Sequence, residues 1–207
     1  MRVRAQAQHC CDNGHMSIVG TPDPQDPDDS VVQPGAGDAG WLTEKQLDEA
    51  RRHLPMVYVE ALPVRIDDAG RVVQVGLLLR VSDTDSMTRT IVSGRVRFGE
   101  SVRDALARHL ENDIGPIAFP QLPLSIVPQA VGEYFPVPTN ASDLFDGRQH
   151  AVSLAFVVPV TGTCQPRTDA LELTWLSPAE LRSPRVQADL EGNRGVLIER
   201  LLAAVGA

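Results

Sequence analysis

The chain has 207 residues, 43% of them apolar, with a formal net charge of −8 and an isoelectric point near 5.1. This length accommodates one ordinary domain and a tail. The acidity excludes a general attraction to nucleic acid or anionic membrane, and no apolar run approaches the ~18 residues of a membrane span. Three cysteines, of which Cys10 and Cys11 are adjacent, form no disulfide framework, which predicts a cytoplasmic protein.

Residues 1–40 are rich in Asp, Pro and Gly, and this composition predicts a disordered tail. We expect a folded domain from residue 41 to residue 207. Thr43 and Gln46 have the spacing of a capping box, and Pro55 ends the helix that follows. The later pattern predicts strands at 57–66, 72–81, 88–92, 125–135, 150–160 and 171–176. It predicts helices at 101–114, from 177 and at 187–205, the last interrupted by Gly192 and Gly195. Strands with helices at the start, middle and end indicate an α/β sandwich.

A loop that leads into a helix occupies the middle of the chain, GRVRFGESVRDALARHLENDIGP at residues 94–116. Ser101 is the predicted N-cap, and Gly115 is the predicted end of the helix. His109, Asn112 and Asp113 stand at positions i, i+3 and i+4, so their side chains converge beside the apolar stripe of this helix. Polar side chains at such a place indicate a ligand, a metal or a partner within the protein.

This stretch resembles a Nudix box, whose pattern is G-x5-E-x7-R-E-U-x-E-E-x-G-U, with U a bulky aliphatic residue. Five positions match at the required spacing: Gly94, Glu100, Arg108, Leu110 and Gly115. The resemblance extends over about residues 55–182, including ELTWLSPAEL near the end. The chain is also similar to an actinobacterial Nudix-like group of uncharacterised function, through FGESVRDALARHLENDIGP and RQHAVSLAFVVPV.

The resemblance implies a Nudix-type α/β/α sandwich with a mixed central sheet. It also implies a nucleotide or diphosphate ligand, a divalent cation (Mg²⁺ or Mn²⁺) and a homodimer, a state that is common among similar domains.

The chain departs from the pattern where the family binds its metal. The positions of the three helix glutamates hold His109, Asn112 and Asp113, and Pro116 replaces the last aliphatic residue. The resemblance therefore implies a degenerate site, with Glu100, His109, Asn112 and Asp113 as the candidate metal ligands. Since Mg²⁺ prefers oxygen ligands, a set containing histidine suits Mn²⁺ or zinc better.

Two functions follow from this resemblance. The first is divalent-metal-dependent hydrolysis of a nucleoside diphosphate linked to another moiety, with Glu100, Arg108, Asp113 and Glu133 as catalytic residues. Either Glu133 or His150 is the candidate general base. The second is a catalytically inactive Nudix fold that serves as a ligand-binding or regulatory module.

The candidate substrate contacts lie in the loop before the helix and around the later strands. They are Arg97, Tyr134, Arg148 and His150.

Each candidate also has a structural interpretation. Glu100 can bond loop amides and pair with Arg108, Asp113 can pair with an arginine, and His109 can be a packed core histidine. Aromatic residues at 134–135 can belong to the core, and residues 148–150 to a turn.

Overall fold

The computed structural model describes residues 42–81, 85–122, 126–167 and 170–207. The predicted tail, residues 1–40, lies outside the described residues. The helices are α1 (Glu44–His53), α2 (Val102–Ile114), α3 (Pro178–Leu181), α4 (Pro184–Asp189) and α5 (Arg194–Ala204). The strands are β1 (Met56–Ile66), β2 (Val72–Val81), β3 (Met87–Thr90), β4 (Val92–Arg95), β5 (Ala130–Tyr134), β6 (Ala151–Pro159) and β7 (Ala170–Leu176).

A mixed sheet of seven strands forms the centre of the domain, in the order β3-β2-β1-β6-β5. β1 and β6 are parallel, and the other pairs are antiparallel. The sheet divides at β1, because one edge of β1 pairs with β4 over residues 58–61 and then with β2 over residues 64–66. β7 adds to the other edge of β2.

Two apolar cores lie on the two faces of the sheet, since alternate side chains of a strand point to opposite faces. Leu62 and Val64 of β1 join a core that includes α1 and α5, whereas Val59 and Ala61 join a core that includes α2. The predicted α/β/α sandwich is therefore confirmed. No helix among the described residues is long and apolar enough to cross a membrane.

Local signals place most of the elements correctly. The predicted capping box is present, because Thr43 Oγ1 accepts from the Gln46 amide at 3.3 Å while the Gln46 side chain accepts from the Thr43 amide at 2.9 Å. Ser101 caps α2, and Gly115, with a φ of 89°, ends it.

Two predicted strands need correction. The strand expected at 88–92 is two strands, β3 and β4, and the strand expected at 125–135 is confined to β5 within the described residues. The closing helix expected at 187–205 is interrupted at Gly192, as predicted, between α4 and α5, whereas Gly195 lies within α5. Gly192 and Asn193 adopt left-handed backbone conformations, with φ near 60°, and a continuous right-handed helix cannot contain them.

Candidate functional site

Glu100 stands at the end of the loop before α2 and is held by Arg108. Arg108 Nε donates to Glu100 Oε1 and Arg108 Nη2 to Oε2, both at 2.7 Å. The Arg97 amide donates to Oε2 at 3.0 Å, and Arg108 Nη2 also donates to the Arg95 carbonyl at 3.1 Å. The hydrogen bonds from Arg108 lower the pKa of Glu100 to about 2. Glu100 is therefore a charged bridge between loop and helix.

His109 packs against Gly94 on β4. Its Nε2 lies 3.1 Å from the Arg95 carbonyl, and a Cβ added at Gly94 would overlap the imidazole ring. Burial lowers the pKa of His109, although the Arg95 carbonyl opposes this effect. Glycine at position 94 thus leaves space for the histidine, and the imidazole ring packs against the neighbouring strand β4.

We expect Gly94→Ala to lower the free energy of unfolding by about 1–3 kcal/mol, because the new methyl group displaces the His109 ring from its site. Urea denaturation measures the change. Gly147→Ala is the control, because its Cβ would meet only Phe145 at ordinary contact distance. In Gly94→Ala/His109→Ala the loss should be smaller than the sum of the two single losses. Additive losses would contradict the contact.

Asp113 lies near the end of α2, is 6% exposed, and pairs with Arg80 of β2. Arg80 Nη2 is 2.6 Å from Asp113 Oδ2. Asn112, one residue earlier, is exposed on the helix surface. The two adjacent candidate ligands thus differ in burial: Asp113 is buried in an ion pair across to the sheet, and Asn112 is exposed.

The four candidate metal ligands do not form a donor set that fits a divalent cation. Glu100 and Asp113 are each bound by an arginine, and His109 faces a backbone carbonyl. Among the described residues, no group of three or more His, Cys, Asp or Glu side chains is arranged to hold a metal ion. A hard cation needs several oxygen ligands at once, and this arrangement does not supply them.

The later candidates lie in different environments. Glu133 is exposed on β5. The His150 ring stacks on Phe135, with centroids 4.6 Å apart. Arg148 is exposed and donates to Asp146. Burial acts to raise the pKa of Asp146, but the hydrogen bonds from Arg148 and its charge together outweigh burial and lower the pKa.

Arg97 is half-buried beside Arg108. Burial first, and then the charge of Arg108, lowers its pKa.

Tyr134 belongs to a buried polar cluster on the α5 side of the sheet. Its hydroxyl donates to Glu60 Oε2 at 2.9 Å, and Arg194 Nε donates to Glu60 Oε1 at 2.8 Å. Glu60 is 1% exposed. Burial, followed by the charge of Glu60, raises the pKa of Tyr134 well above its usual range, so the phenol stays protonated as a donor.

A cavity of about 380 Å³ opens beside this cluster, lined by the sheet, the loop before β6 and the start of α5. We call it the central cavity. Its charged lining residues are Glu60, Arg80, Asp146, Arg148, Glu191 and Arg194. Of the predicted site residues, it brings together Tyr134 and Arg148; Glu100, Arg108, His109, Asn112, Asp113, Glu133, Arg97 and His150 do not line it.

Glu60, Arg80 and Arg194 were not among the predicted site residues. A signal for Glu60 was present, since it is the one charged residue within the apolar run VYVEALPV. A carboxylate buried in a strand needs a partner and marks a place of interest. Arg80 gave a comparable signal as the one charged residue within VVQVGLLLRV, whereas Arg194 gave none, because it lies next to the polar stretch EGN.

Two comparisons place the chain among known proteins. Residues 37–207 match the family described as Domain of unknown function (DUF4916). No curated protein matches the chain. The chain is 52% identical to a protein of known structure from the actinobacterium Jonesia denitrificans DSM 20603, described as a possible asymmetric diadenosine tetraphosphate (Ap4A) hydrolase. The match covers 74% of this chain and 96% of that chain, with a TM-score of 0.72.

A more distant likeness concerns the fold. The chain is 20% identical to a Nudix hydrolase from Nitrosomonas europaea, over 72% of this chain and 89% of that chain, with a TM-score of 0.53. A bifunctional NMN adenylyltransferase/ADP-ribose pyrophosphatase from Francisella tularensis is 14% identical over 79% of this chain and 48% of its own, also with a TM-score of 0.53.

Proposed function

Because the chain belongs to the Nudix superfamily, and to its family described as Domain of unknown function (DUF4916), we propose that it binds a nucleotide-type ligand in the central cavity without metal-dependent hydrolysis. The predicted resemblance and its actinobacterial relative are confirmed. The observation that carries the proposal is that both carboxylates retained by the motif, Glu100 and Asp113, are bound by arginines.

The side chains at the motif are a poor ligand set for a divalent cation. The cation has to displace an arginine from each of the two carboxylates, and the nearby side chains supply few further oxygen ligands. Asn112 offers a neutral oxygen, and His109 a nitrogen that faces a backbone carbonyl. Mg²⁺ binds such groups weakly. The arginines neutralise the carboxylates, which is the part that a divalent cation has elsewhere in the superfamily.

The central cavity has the size and the lining of a small-molecule site. Its volume of about 380 Å³ falls within the range of small-molecule sites. Arginine and hydroxyl side chains among its lining suit phosphate oxygens. Tyr134 and Arg148, two of the predicted substrate contacts, line it and remain proposed as such.

A second candidate is hydrolysis of a nucleoside diphosphate linked to another moiety, with Mg²⁺ or Mn²⁺ as the cation. It is favoured by the 52% identity to the Jonesia protein, which is described as a possible Ap4A hydrolase. We derive no catalytic step for it, since the residues at the motif do not fit the metal. We also propose that residues 41–207 are the folded unit, that the protein is cytoplasmic, and that it forms a homodimer.

One experiment with the full chain separates the two functions. Thermal unfolding is followed with nucleotide sugars, dinucleoside polyphosphates, ADP-ribose and nucleoside triphosphates in EDTA, and phosphate release is measured with millimolar Mg²⁺ or Mn²⁺. We expect at least one compound to raise the melting temperature in EDTA, by the equivalent of about 2.7 kcal/mol at 100 times its Kd, without turnover. Turnover that Glu100→Gln abolishes, and that Glu111→Gln on the exposed face of α2 retains, would establish the hydrolase instead.

A further inference from the structure

Three buried polar atoms in the central cavity have no hydrogen-bond partner among the described residues. They are Arg80 Nε, Thr88 Oγ1 and Ser153 Oγ. Ser153 is 1% exposed, so solvent does not reach most of it. A buried donor or acceptor without a partner costs about 1–3 kcal/mol, and three that line one cavity indicate a ligand that bonds to them.

Arg80 connects the central cavity to the Nudix-box helix. It stands opposite Thr88 in the β2–β3 pairing, and β2 is irregular between Leu79 and Arg80 in its pairing with β7. Arg80 Nη2 reaches Asp113 Oδ2 on α2 at 2.6 Å, while Arg80 also lines the cavity and its buried Nε has no partner among the described residues. One guanidinium therefore presents separate N–H groups to the helix carboxylate and to the cavity.

The other charges of the cavity lining are paired with each other. Arg194 bonds both Glu60 and Glu191, and Arg148 bonds Asp146. The carboxylate partner of Arg80, in contrast, is Asp113, which lies outside the lining. Arg80 is thus the lining arginine whose donors are not engaged by an acidic residue of the lining itself.

We propose that Arg80, positioned by Asp113, binds a phosphate group of the ligand directly, in the role that a divalent cation has elsewhere in the superfamily. Thr88 and Ser153, which also line the cavity, donate their hydroxyl protons to the ligand. This inference rests on the proposed function and names the ligand group that the central cavity recognises. A guanidinium is permanently charged and holds several donors in one plane, so it binds phosphate oxygens with no metal. Phosphate binding is then independent of Mg²⁺.

The test compares Arg80→Gln with wild type in EDTA and in Mg²⁺. The probes are inorganic pyrophosphate, ADP-ribose and adenosine, and calorimetry measures their affinities. We expect Arg80→Gln to weaken both phosphate-bearing probes by about tenfold or more, since a charge-assisted bond is lost, and to leave adenosine unchanged. The control is Arg89→Gln, because Arg89 on β3 is similarly buried but bonds Thr174 and Asp189.

A second variant covers the case in which Arg80→Gln does not fold, since that change leaves Asp113 without its arginine. Ser153→Ala removes a buried hydroxyl that bonds to nothing among the described residues. We expect unchanged or higher thermal stability without ligand, together with several-fold weaker pyrophosphate binding. A purely structural serine gives neither the retained stability nor the weakened binding.

The outcomes separate this inference from the proposed function. If ADP-ribose binds but Arg80→Gln and Ser153→Ala bind pyrophosphate as wild type does, the inference is wrong and the proposed function stands. If the phosphate probes bind only with Mg²⁺, the inference is wrong, and so is the expected binding of the nucleotide-type ligand in EDTA. If no nucleotide, nucleoside or pyrophosphate binds to wild type, both are wrong.

Discussion

Arg194→Met should lower the free energy of unfolding by about 3–5 kcal/mol, the largest stability change we predict for a single substitution. Arg194 Nε donates to Glu60 Oε1 at 2.8 Å, and Glu60 is 1% exposed. Methionine fills much of the arginine volume but leaves the carboxylate buried with only the Tyr134 hydroxyl as donor. The loss thus comes from an unpaired buried charge rather than from a cavity.

Urea denaturation at neutral pH measures this loss, and two variants identify its source. Glu60→Leu/Arg194→Met should recover most of the stability, because no charge then remains to be desolvated. Arg182→Met is the matched control: Arg182 bonds Glu199 at the surface at 3.1 Å, and its loss should cost less than about 1 kcal/mol. A cost for Arg194→Met as small as that of the control would contradict the burial argument.

The buried polar cluster of Glu60, Tyr134 and Arg194 also forms part of the wall of the central cavity. Arg194 begins α5 directly after the left-handed residues Gly192 and Asn193. This break turns the chain so that the first residue of the helix faces β1 and β5, where Glu60 and Tyr134 lie. The interruption of the closing helix and the buried ion pair are therefore one feature, which forms a wall of the cavity.

Local sequence signals predicted the elements whose ends depend on neighbouring residues. Thr43 with Gln46, and Ser101 with Gly115, act over a single turn of helix, so both helices were located within about two residues. The break at Gly192 was predicted from the glycine itself, whereas the left-handed conformation of Asn193 was not. The backbone there is set by a distant contact, since the Phe145 amide donates to the Gly192 carbonyl at 3.2 Å.

The same distinction applies to the site. The spacing of eight residues between Glu100 and Arg108 allowed their ion pair to be considered from the sequence. The pair of Asp113 with Arg80 joins a helix to a strand that precedes it in the chain, and no local pattern reports such a partner. The central cavity is lined by residues of six strands, β1 to β6, so its lining follows from strand order and not from any motif.

Glu100→Gln should lower the free energy of unfolding at pH 7 by about 2 kcal/mol, because Arg108 loses two charge-assisted hydrogen bonds. The difference between wild type and variant should depend on pH. The pKa of Glu100 falls from its ordinary value of 4.5 to about 2 in the folded state. Its stabilising effect is therefore complete above pH 4.5 and is lost as the pH falls toward 2.

Denaturation of both proteins between pH 2 and pH 7 measures this effect, and Glu111→Gln on the exposed face of α2 is the matched control. The difference between the unfolding free energies of wild type and variant excludes the contribution of other carboxylates with lowered pKa values, such as Asp146. The same pair of proteins also tests the metal. If Glu100 serves the loop through Arg108, millimolar Mn²⁺ changes the melting temperature of both equally. A rise confined to wild type would make Glu100 a metal ligand, because only a ligand couples its carboxylate to the ion.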